Sequence, residues 1–230
     1  MIRPAEEVAS TRRRTIAQAL MEWEPLVQLY ESRVWRRSIV FRALLGLSFE
    51  REYALIVSAS ALSDARRVLD LACGPGIYAR RFAAGLSAAT IVGLDLSWPM
   101  LRYAARKSRA SNLMNLAFVR GDATNLPFPG DAFDSVNCCG ALHLFPDVGR
   151  VLSEVRRVLT AHGSFTVAAF RRGNGPVAQF RARARRRLYG IDAFSPEDLA
   201  ARLRAAGFTG DRCLHAAGLW LIMSAQKGAA

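Results

Sequence analysis

The feature that most constrains the fold is a short apolar run that ends in a glycine-rich turn at residues 67–76. The run R-V-L-D-L-A is followed by C-G-P-G and then by a helical pattern, which predicts a strand, a tight turn and a helix. From residue 67 onward, similar β-branched runs alternate with helical patterns through short loops. This alternation predicts an α/β fold with a mainly parallel sheet.

The last two strands are too close in sequence for a helix between them, so we expect a hairpin with Gly218 at its turn and one antiparallel strand. Gly163 and Gly207 stand where helices should stop. Before residue 67, helical patterns run over 12–62. The predicted strands are 67–72, 90–95, 116–121, 133–141, 163–170, 210–216 and 218–225, and the predicted helices between them are 76–86, 98–109, 146–160, 175–188 and 195–206.

Size and composition are those of a globular protein: 230 residues, 51% hydrophobic and 22% charged. This length fits one large domain better than two small ones. The net charge of +13 comes almost entirely from arginine. This charge could attract a nucleic acid, but no recognition motif accompanies it. We therefore favour the alternative that the arginines lie on solvated helix faces, and a nucleic-acid partner is less consistent with the sequence.

The sequence shows no pattern typical of a signal peptide, a membrane span or a metal site. No apolar run is long enough for a membrane span, and the N-terminus does not resemble a signal peptide. The four cysteines form no C-x-x-C pair, and the three histidines are scattered. We therefore expect a cytoplasmic protein with reduced thiols and no metal site.

Three acidic residues follow successive predicted strands. Asp70 stands just before the glycine turn, Asp95 ends the second strand nineteen residues after Gly76, and Asp122 ends the third. Parallel strands end in the crevice where open α/β sheets bind nucleotides. The pattern G-x-G-x-x-A at 74–79 fits such a site, but alone it is equally typical of dinucleotide-binding proteins.

The charge of these three residues favours one ligand class. Asp70 would repel a pyrophosphate at the helix N-terminus, whereas it would attract a ligand that carries an ammonium group and a sulfonium. S-adenosylmethionine has both cations and an adenosine. We expect Asp95 to accept from the ribose hydroxyls, Asp70 to reach the methionyl ammonium and Asp122 to accept from the adenine amine.

These motifs resemble those of the class I, seven-stranded, Rossmann-like S-adenosylmethionine-dependent methyltransferases, especially the small-molecule group that includes the ubiquinone and menaquinone methyltransferases. The likeness rests on V-L-D-L-A-C-G-P-G at 68–76, G-L-D-L-S-W-P-M-L at 93–101 and G-D-A-T-N-L-P-F-P-G-D-A-F-D-S-V at 121–136. It implies a three-layer α/β fold with sheet order 3-2-1-4-5-7-6 and strand 7 antiparallel. Residues 1–66 would be a helical N-terminal lid and residues 67–230 the core of one structural domain.

The resemblance also implies which residues hold the methionyl end of the cofactor. Asp70, Gly74 and Gly76 would surround it, with the backbone of Cys139 beside it after strand four. Tyr30 corresponds to an aromatic residue that relatives often carry on a lid helix over the cofactor. Its interpretation as a core-facing residue of an amphipathic helix stays equally open.

For the adenosine, the resemblance adds apolar neighbours to the acidic residues. Leu96 and Met100 would pack near the adenine. Ala123 would contact the adenine edge together with Asp122, and Asp95 would hold the ribose.

His143 is the candidate catalytic base, because the segment 137–147 leaves strand four where acceptor and methyl group should meet. Its ordinary pKa of about 6.5 suits proton transfer. Related sequences often have L-H-x-x-P-D here, so a role in capping or orienting the loop stays open. Asp147 and His162 are expected at a helix N-terminus and a helix C-terminus. The cysteines have no base spaced to activate them.

Two features bear on the acceptor. An arginine run, R-A-R-A-R-R-R at 181–187, could guide an acidic substrate or an acidic carrier protein, or could be a solvated helix face. Several aromatic residues could line an apolar pocket or belong to the core. They are Trp23, Trp35, Trp98, Phe41, Phe145 and Phe180.

The sequence therefore predicts a methyltransferase that uses S-adenosylmethionine, yields S-adenosylhomocysteine and acts on a small, fairly apolar acceptor. An oxygen of a secondary metabolite is favoured over carbon of a quinone-like or enolate acceptor. A non-methylating reaction such as cyclisation, and methylation of RNA, are the alternatives. The N/D-P-P-Y/F motif of many nitrogen methyltransferases is replaced by N-C-C-G.

Overall fold

The computed structural model describes residues 2–3, 46–60, 62, 65–173 and 175–228. Within these residues, strands and helices alternate along the chain as the sequence predicts. The strands are β1 (Ile2–Arg3), β2 (Arg67–Leu71), β3 (Thr90–Asp95), β4 (Leu116–Arg120), β5 (Phe133–Cys139), β6 (Leu159–Phe170), β7 (Phe208–Ala217) and β8 (Trp220–Lys227). The helices are α1 (Phe49–Ala59), α2 (Ile77–Gly85), α3 (Trp98–Ala110), α4 (Val148–Val158), α5 (Pro176–Tyr189) and α6 (Pro196–Ala205), with a 3-10 turn at Leu142–Leu144.

All described strands form one sheet in the order β1-β4-β3-β2-β5-β6-β8-β7. The two-residue β1 pairs parallel with the edge strand β4. The seven long strands alone, numbered from one, have the expected order 3-2-1-4-5-7-6. Only β8 runs antiparallel to its neighbours. The predicted fold class is therefore confirmed, including the final hairpin, where Gly218 has a positive φ of 54°.

Helices cover both faces of the sheet, and alternate strand residues fill two separate cores. One core packs α4 and α6 against residues such as Leu69 and Val136. The other packs α1, α2 and α3 against residues such as Val68 and Ile91. The central strands β2 and β5 are buried on both sides, which makes this the three-layer arrangement that short apolar runs predict.

Buried polar contacts fix α1 on its core. Ser60, which ends this helix, shares its hydroxyl with Asn137 Oδ1 at 2.9 Å and Thr166 Oγ1 at 2.7 Å. Glu52 accepts from Trp220 Nε1 at 2.9 Å, also out of solvent. Such contacts are costly unless satisfied, so they select one position for the helix.

Two local predictions are wrong. Helix α4 ends at Val158, and Gly163 lies inside β6 instead of stopping the helix. His162, expected at a helix C-terminus, also lies in β6 with a φ of 61°. The cause is a bulge: the pairing with β5 jumps from Phe133–Leu159 to Ser135–Ser164, and the chain turns tightly there. Gly207 does follow a helix with a φ of 83°, as expected.

Gly93 offers a test of how closely the cofactor-side strands pack. A Cβ at this position would lie 2.8 Å from the Phe118 ring and 2.9 Å from Cys73 Sγ. We expect Gly93→Ala to lower the free energy of unfolding by about 1–3 kcal/mol. Gly85→Ala is the matched control, because its Cβ would meet only Tyr53 Oη at 3.6 Å. Denaturant unfolding that finds both variants as stable as the parent would contradict this packing.

Candidate active site

The carboxyl ends of β2, β3 and β5 meet at one edge of the sheet. Asp70 in β2 pairs with Gly93 in β3 on one side and with Asn137 in β5 on the other. Asp95 ends β3 beside Arg120 of β4. The motifs that the sequence distributes over residues 70–143 therefore converge in space, as parallel strand order requires.

The glycine turn after β2 is held in an unusual backbone conformation. Ala72, Gly74 and Gly76 all have positive φ, of 53°, 53° and 76°. Hydrogen bonds to β3 hold the turn there: Cys73 N donates to Leu94 O at 2.9 Å and Gly74 N to Asp95 Oδ2 at 2.7 Å. A positive φ at alanine is costly and persists only where the surroundings enforce it. Asp95 thus shapes the turn.

The two glycines of the turn have different surroundings. A Cβ at Gly76 would lie 2.9 Å from Ala104 Cβ and 3.1 Å from the Phe118 ring, so Gly76 serves close packing of α2. A Cβ at Gly74 would meet nothing within 4 Å. Open space therefore adjoins Gly74, and a ligand can approach the backbone there.

Asp70 is buried and accepts a hydrogen bond from the first turn of α2, although it lies in β2. Gly76 precedes α2 without a capping side chain, and Asp70 Oδ2 instead accepts from Ala79 N at 2.8 Å. Burial raises the pKa of Asp70 to about 8; the hydrogen bond from Ala79 opposes this and the nearby charge of Asp95 adds to it. At neutral pH this carboxyl holds a proton unless a cation arrives.

Asp95 is in a comparable position. Burial raises its pKa against hydrogen bonds from Ser97 N at 2.8 Å and Gly74 N. In the part of the chain that the structure describes, no lysine or arginine contributes to the shifted pKa of Asp70 or Asp95. Two neighbouring carboxyls without a counterion favour a positively charged ligand. The donor set and the space at Gly74 fit S-adenosylmethionine.

The residues assigned to adenine lie around the ends of β3 and β4. Asp122 does not end a strand, because β4 stops at Arg120; it forms a turn in which Oδ1 accepts from Thr124 N and Oγ1, both at 2.8 Å. Ala123 is buried in the core cluster. Met100 in α3 is buried and Leu96 is half-buried.

His143 lies beyond β5 in the 3-10 turn and is 4% exposed. Its ring stacks on Phe170 at 4.1 Å between centroids, and Nδ1 accepts from Phe170 N at 3.3 Å. Burial, together with the charge of Arg185, lowers the pKa of His143 to about 3. A base this weak is poorly matched to neutral pH, so these surroundings argue against the expected role as general base.

The other expected site residues are distributed as follows. Cys139 ends β5 and is half-buried, while burial raises the pKa of the Cys138 thiol, which disfavours a nucleophilic thiolate. Asp147 caps α4 through Arg150 N, as expected. Within the described residues, no group of His, Cys, Asp and Glu side chains could hold a metal ion.

The predicted lid and aromatic pocket are only partly visible. Tyr30 lies outside the described residues, as do Trp23, Trp35 and Phe41. Phe145 packs against the core, whereas Phe180 is 72% exposed and Trp98 is also exposed.

Sequence reasoning missed the group around His143: Phe170, Trp220 and Arg185. The Phe170 and Trp220 rings meet at 5.7 Å, and both approach His143. The chain joins them through β6 and the returning β8, which pair at these two residues. The predicted hairpin register could have brought Phe170 and Trp220 together, but nothing in the sequence singles out one arginine of the run.

Comparison with known proteins identifies the fold family. Residues 68–163 match the methyltransferase domain family. The chain is 36% identical over 128 residues to a demethylmenaquinone methyltransferase of Deinococcus radiodurans, covering 55% of this chain and 53% of that protein. It is 39% identical over 108 residues to a fatty-acid O-methyltransferase of Mycolicibacterium smegmatis, covering 47% and 38%. The chain spans about half the length of the curated relatives it matches, or less.

Solved structures share the fold. A S-adenosylmethionine-dependent methyltransferase of Aquifex aeolicus superposes with a TM-score of 0.69 at 15% identity, covering 89% of this chain and 98% of that one. A 4+2 cyclase superposes with a TM-score of 0.68 at 23% identity, covering 79% and 82%. The resemblance to class I S-adenosylmethionine-dependent methyltransferases is confirmed. Among the described residues, no helix is long and apolar enough to cross a membrane.

The buried His143 makes a testable contribution to acid stability. Its folded pKa of about 3 lies below the ordinary value, so the unfolded chain binds the proton more readily. The contribution of the neutral His143 to the free energy of unfolding is then fully present above about pH 6.5 and is lost as the pH drops toward 3. His143→Gln, which can still accept from Phe170 N, should lose less stability than the parent over this range. If the parent and His143→Gln lose the same free energy of unfolding between pH 7 and pH 4.5, the result would contradict a neutral, buried His143.

Proposed function

We propose that this chain is a methyltransferase that transfers the methyl group of S-adenosylmethionine to an oxygen of a small, fairly apolar acceptor. The observation that carries the proposal is the pair Asp70 and Asp95. Asp70 is buried and Asp95 is half-buried, burial raises the pKa of both carboxyls, and open space adjoins Gly74, whose N–H donates to Asp95. A cationic ligand compensates both charges, which a dinucleotide phosphate would not do.

In this proposal, each strand end holds one part of the cofactor. Asp70 and the backbone at Gly74 hold the methionyl end, with Cys139 at the end of β5 beside it. Asp95 accepts from the ribose hydroxyls while it keeps the turn in shape through Gly74 N.

The adenine lies between the residues that follow β3 and those that follow β4. Leu96 and Met100 pack near it, and Asp122 with Ala123 faces its edge. Tyr30 covers the cofactor from the N-terminal segment, which we propose to act as a lid.

The sulfonium supplies an activated methyl group, so the protein has mainly to orient the acceptor. Holding two reactants in line is worth roughly 7–11 kcal/mol of barrier. His143 contributes as a neutral, buried ring that positions the acceptor, because its lowered pKa leaves it a weak base. An acceptor oxygen that is acidic enough to ionise by itself suits such a site.

Several observations bear on the acceptor and the setting. The relatives that the chain resembles include methyltransferases named for apolar acceptors, a demethylmenaquinone and a fatty acid. They support a small, apolar acceptor, on oxygen first and on carbon as the alternative. None of the four cysteines, all within the described residues, forms a disulfide, which supports a cytoplasmic setting.

Radioactive transfer tests the proposal. We expect the purified protein, incubated with methyl-labelled S-adenosylmethionine and an extract of the producing cells, to yield a labelled small molecule and S-adenosylhomocysteine. Asp95→Asn should weaken cofactor binding about tenfold or more, as charge-assisted hydrogen bonds are lost. Asp134→Asn is the matched control: this carboxylate also accepts from two backbone N–H groups, of Arg66 and Arg67, but at the start of β5.

The outcomes separate the alternatives. Label recovered in RNA would identify an RNA methyltransferase. Conversion of a substrate with the methyl group retained on the cofactor would identify a non-methylating enzyme; a 4+2 cyclase shares this fold. Equal affinity of the Asp95→Asn and Asp134→Asn variants for the cofactor would refute the assignment of the ribose site.

A further inference from the structure

Arg185 holds a buried donor that nothing satisfies. Its Nε is out of contact with solvent and has no hydrogen-bond partner, and among the described residues it is the one buried side-chain polar atom of this kind. Leaving such a group unpaired costs free energy, and the cost is larger for a charged group. A buried unsatisfied donor is uncommon in a folded protein, and a bound group that accepts its hydrogen bond is one way to satisfy it.

Arg185 lies at the acceptor side of the proposed active site. It is carried by α5, which follows β6, and its guanidinium carbon lies 5.9 Å from the centre of the Phe170 ring. Its charge also reaches His143, whose pKa it lowers. Phe170 is the last residue of β6 and His143 follows β5, so both lie at the carboxyl-end edge of the sheet, where Asp70 and Asp95 also lie.

Two polar atoms of the aromatic group at Phe170, His143 and Trp220 already have partners. His143 Nδ1 accepts from Phe170 N, and Trp220 Nε1 donates to Glu52. None of these groups accepts a hydrogen bond from Arg185 Nε. The guanidinium therefore lies over the Phe170 ring, and its Nε–H has no acceptor.

Two other arginines of the run, Arg183 and Arg187, have different surroundings. Arg183 and Arg187 are exposed on the same helix, as expected for a solvated face. Arg183 and Arg187 therefore face water, whereas the Nε of Arg185 is out of contact with solvent.

The protein itself shows what such a donor binds. Arg157 Nε donates to Glu154 Oε1 at 3.0 Å while Nη2 donates to Oε2 at 2.8 Å, and Glu154 is buried. The planar fork of Nε and Nη matches the two oxygens of one carboxylate. Arg185 has the same fork without the carboxylate.

We propose that the acceptor is a carboxylic acid with an apolar or aromatic body, and that Arg185 binds its carboxylate. The body lies against Phe170 and His143, and the bound carboxylate satisfies Nε. The inference rests on the proposed function, because it defines the acceptor class for the same site. It also divides the site into an anionic half for the donor and a cationic half for the acceptor.

Calorimetry with matched acid and amide pairs tests the proposal on protein saturated with S-adenosylhomocysteine. The probes are benzoate and benzamide, 2-naphthoate and 2-naphthamide, and octanoate and octanamide. We expect the acid of at least one pair to bind about tenfold or more tightly than its amide. Arg185→Gln should abolish this preference and Arg185→Lys should reduce it, because lysine lacks the fork. Arg183→Gln removes an exposed charge from the same helix and should preserve the preference.

The controls separate this inference from the proposed function. Arg185→Gln should bind S-adenosylhomocysteine as the parent does, which also establishes that the variant is folded. A parent that does not bind S-adenosylhomocysteine defeats the proposed function, while the acid preference measured without it still tests Arg185. Acids that bind no better than amides in all three pairs, or a preference that survives Arg185→Gln, would overturn the proposal.

Discussion

The hydrogen bond from Gly74 N to Asp95 is the contact on which the rest of the site depends. It joins the turn after β2 to the end of β3 and helps to hold that turn, in which Ala72, Gly74 and Gly76 have positive φ. Because the turn is fixed, Gly74 faces open space while Gly76 packs against α3 and β4. Removing this carboxylate would therefore disturb a binding surface as well as a single ligand contact.

The proposed site has acidic groups on one side and a basic group on the other. The ends of β2 and β3 carry carboxyls without a counterion, and the helix after β6 carries a guanidinium whose Nε lacks a partner. A cationic methyl donor and an anionic acceptor would each find a complementary side, and their mutual attraction favours the approach of the reacting atoms. His143, between the two halves, would shape the acceptor surface without needing to change protonation.

Much of the fold was accessible from the sequence, because parallel strands buried on both faces leave a strong pattern. The strand at 67–71, its glycine turn and the final hairpin were all predictable from local residue types. The bulge at His162 and Gly163 was not, because its cause is a register shift between β5 and β6 that no local pattern records. The acidic residues could be found by spacing, whereas their raised pKa values depend on burial by distant helices. Arg185 looked like its neighbours in sequence, and only the packing of α5 distinguishes it.

Proton release on binding tests whether Asp70 and Asp95 form a site for a cationic donor. In the free protein Asp70, with a pKa of about 8, holds a proton at pH 7. A bound cation lowers that pKa, so S-adenosylmethionine should displace up to about one proton per molecule. Titration calorimetry in phosphate and in Tris at pH 7 measures this release, and Asp70→Asn should eliminate it. Binding enthalpies that are identical in the two buffers, or proton uptake, would contradict the account.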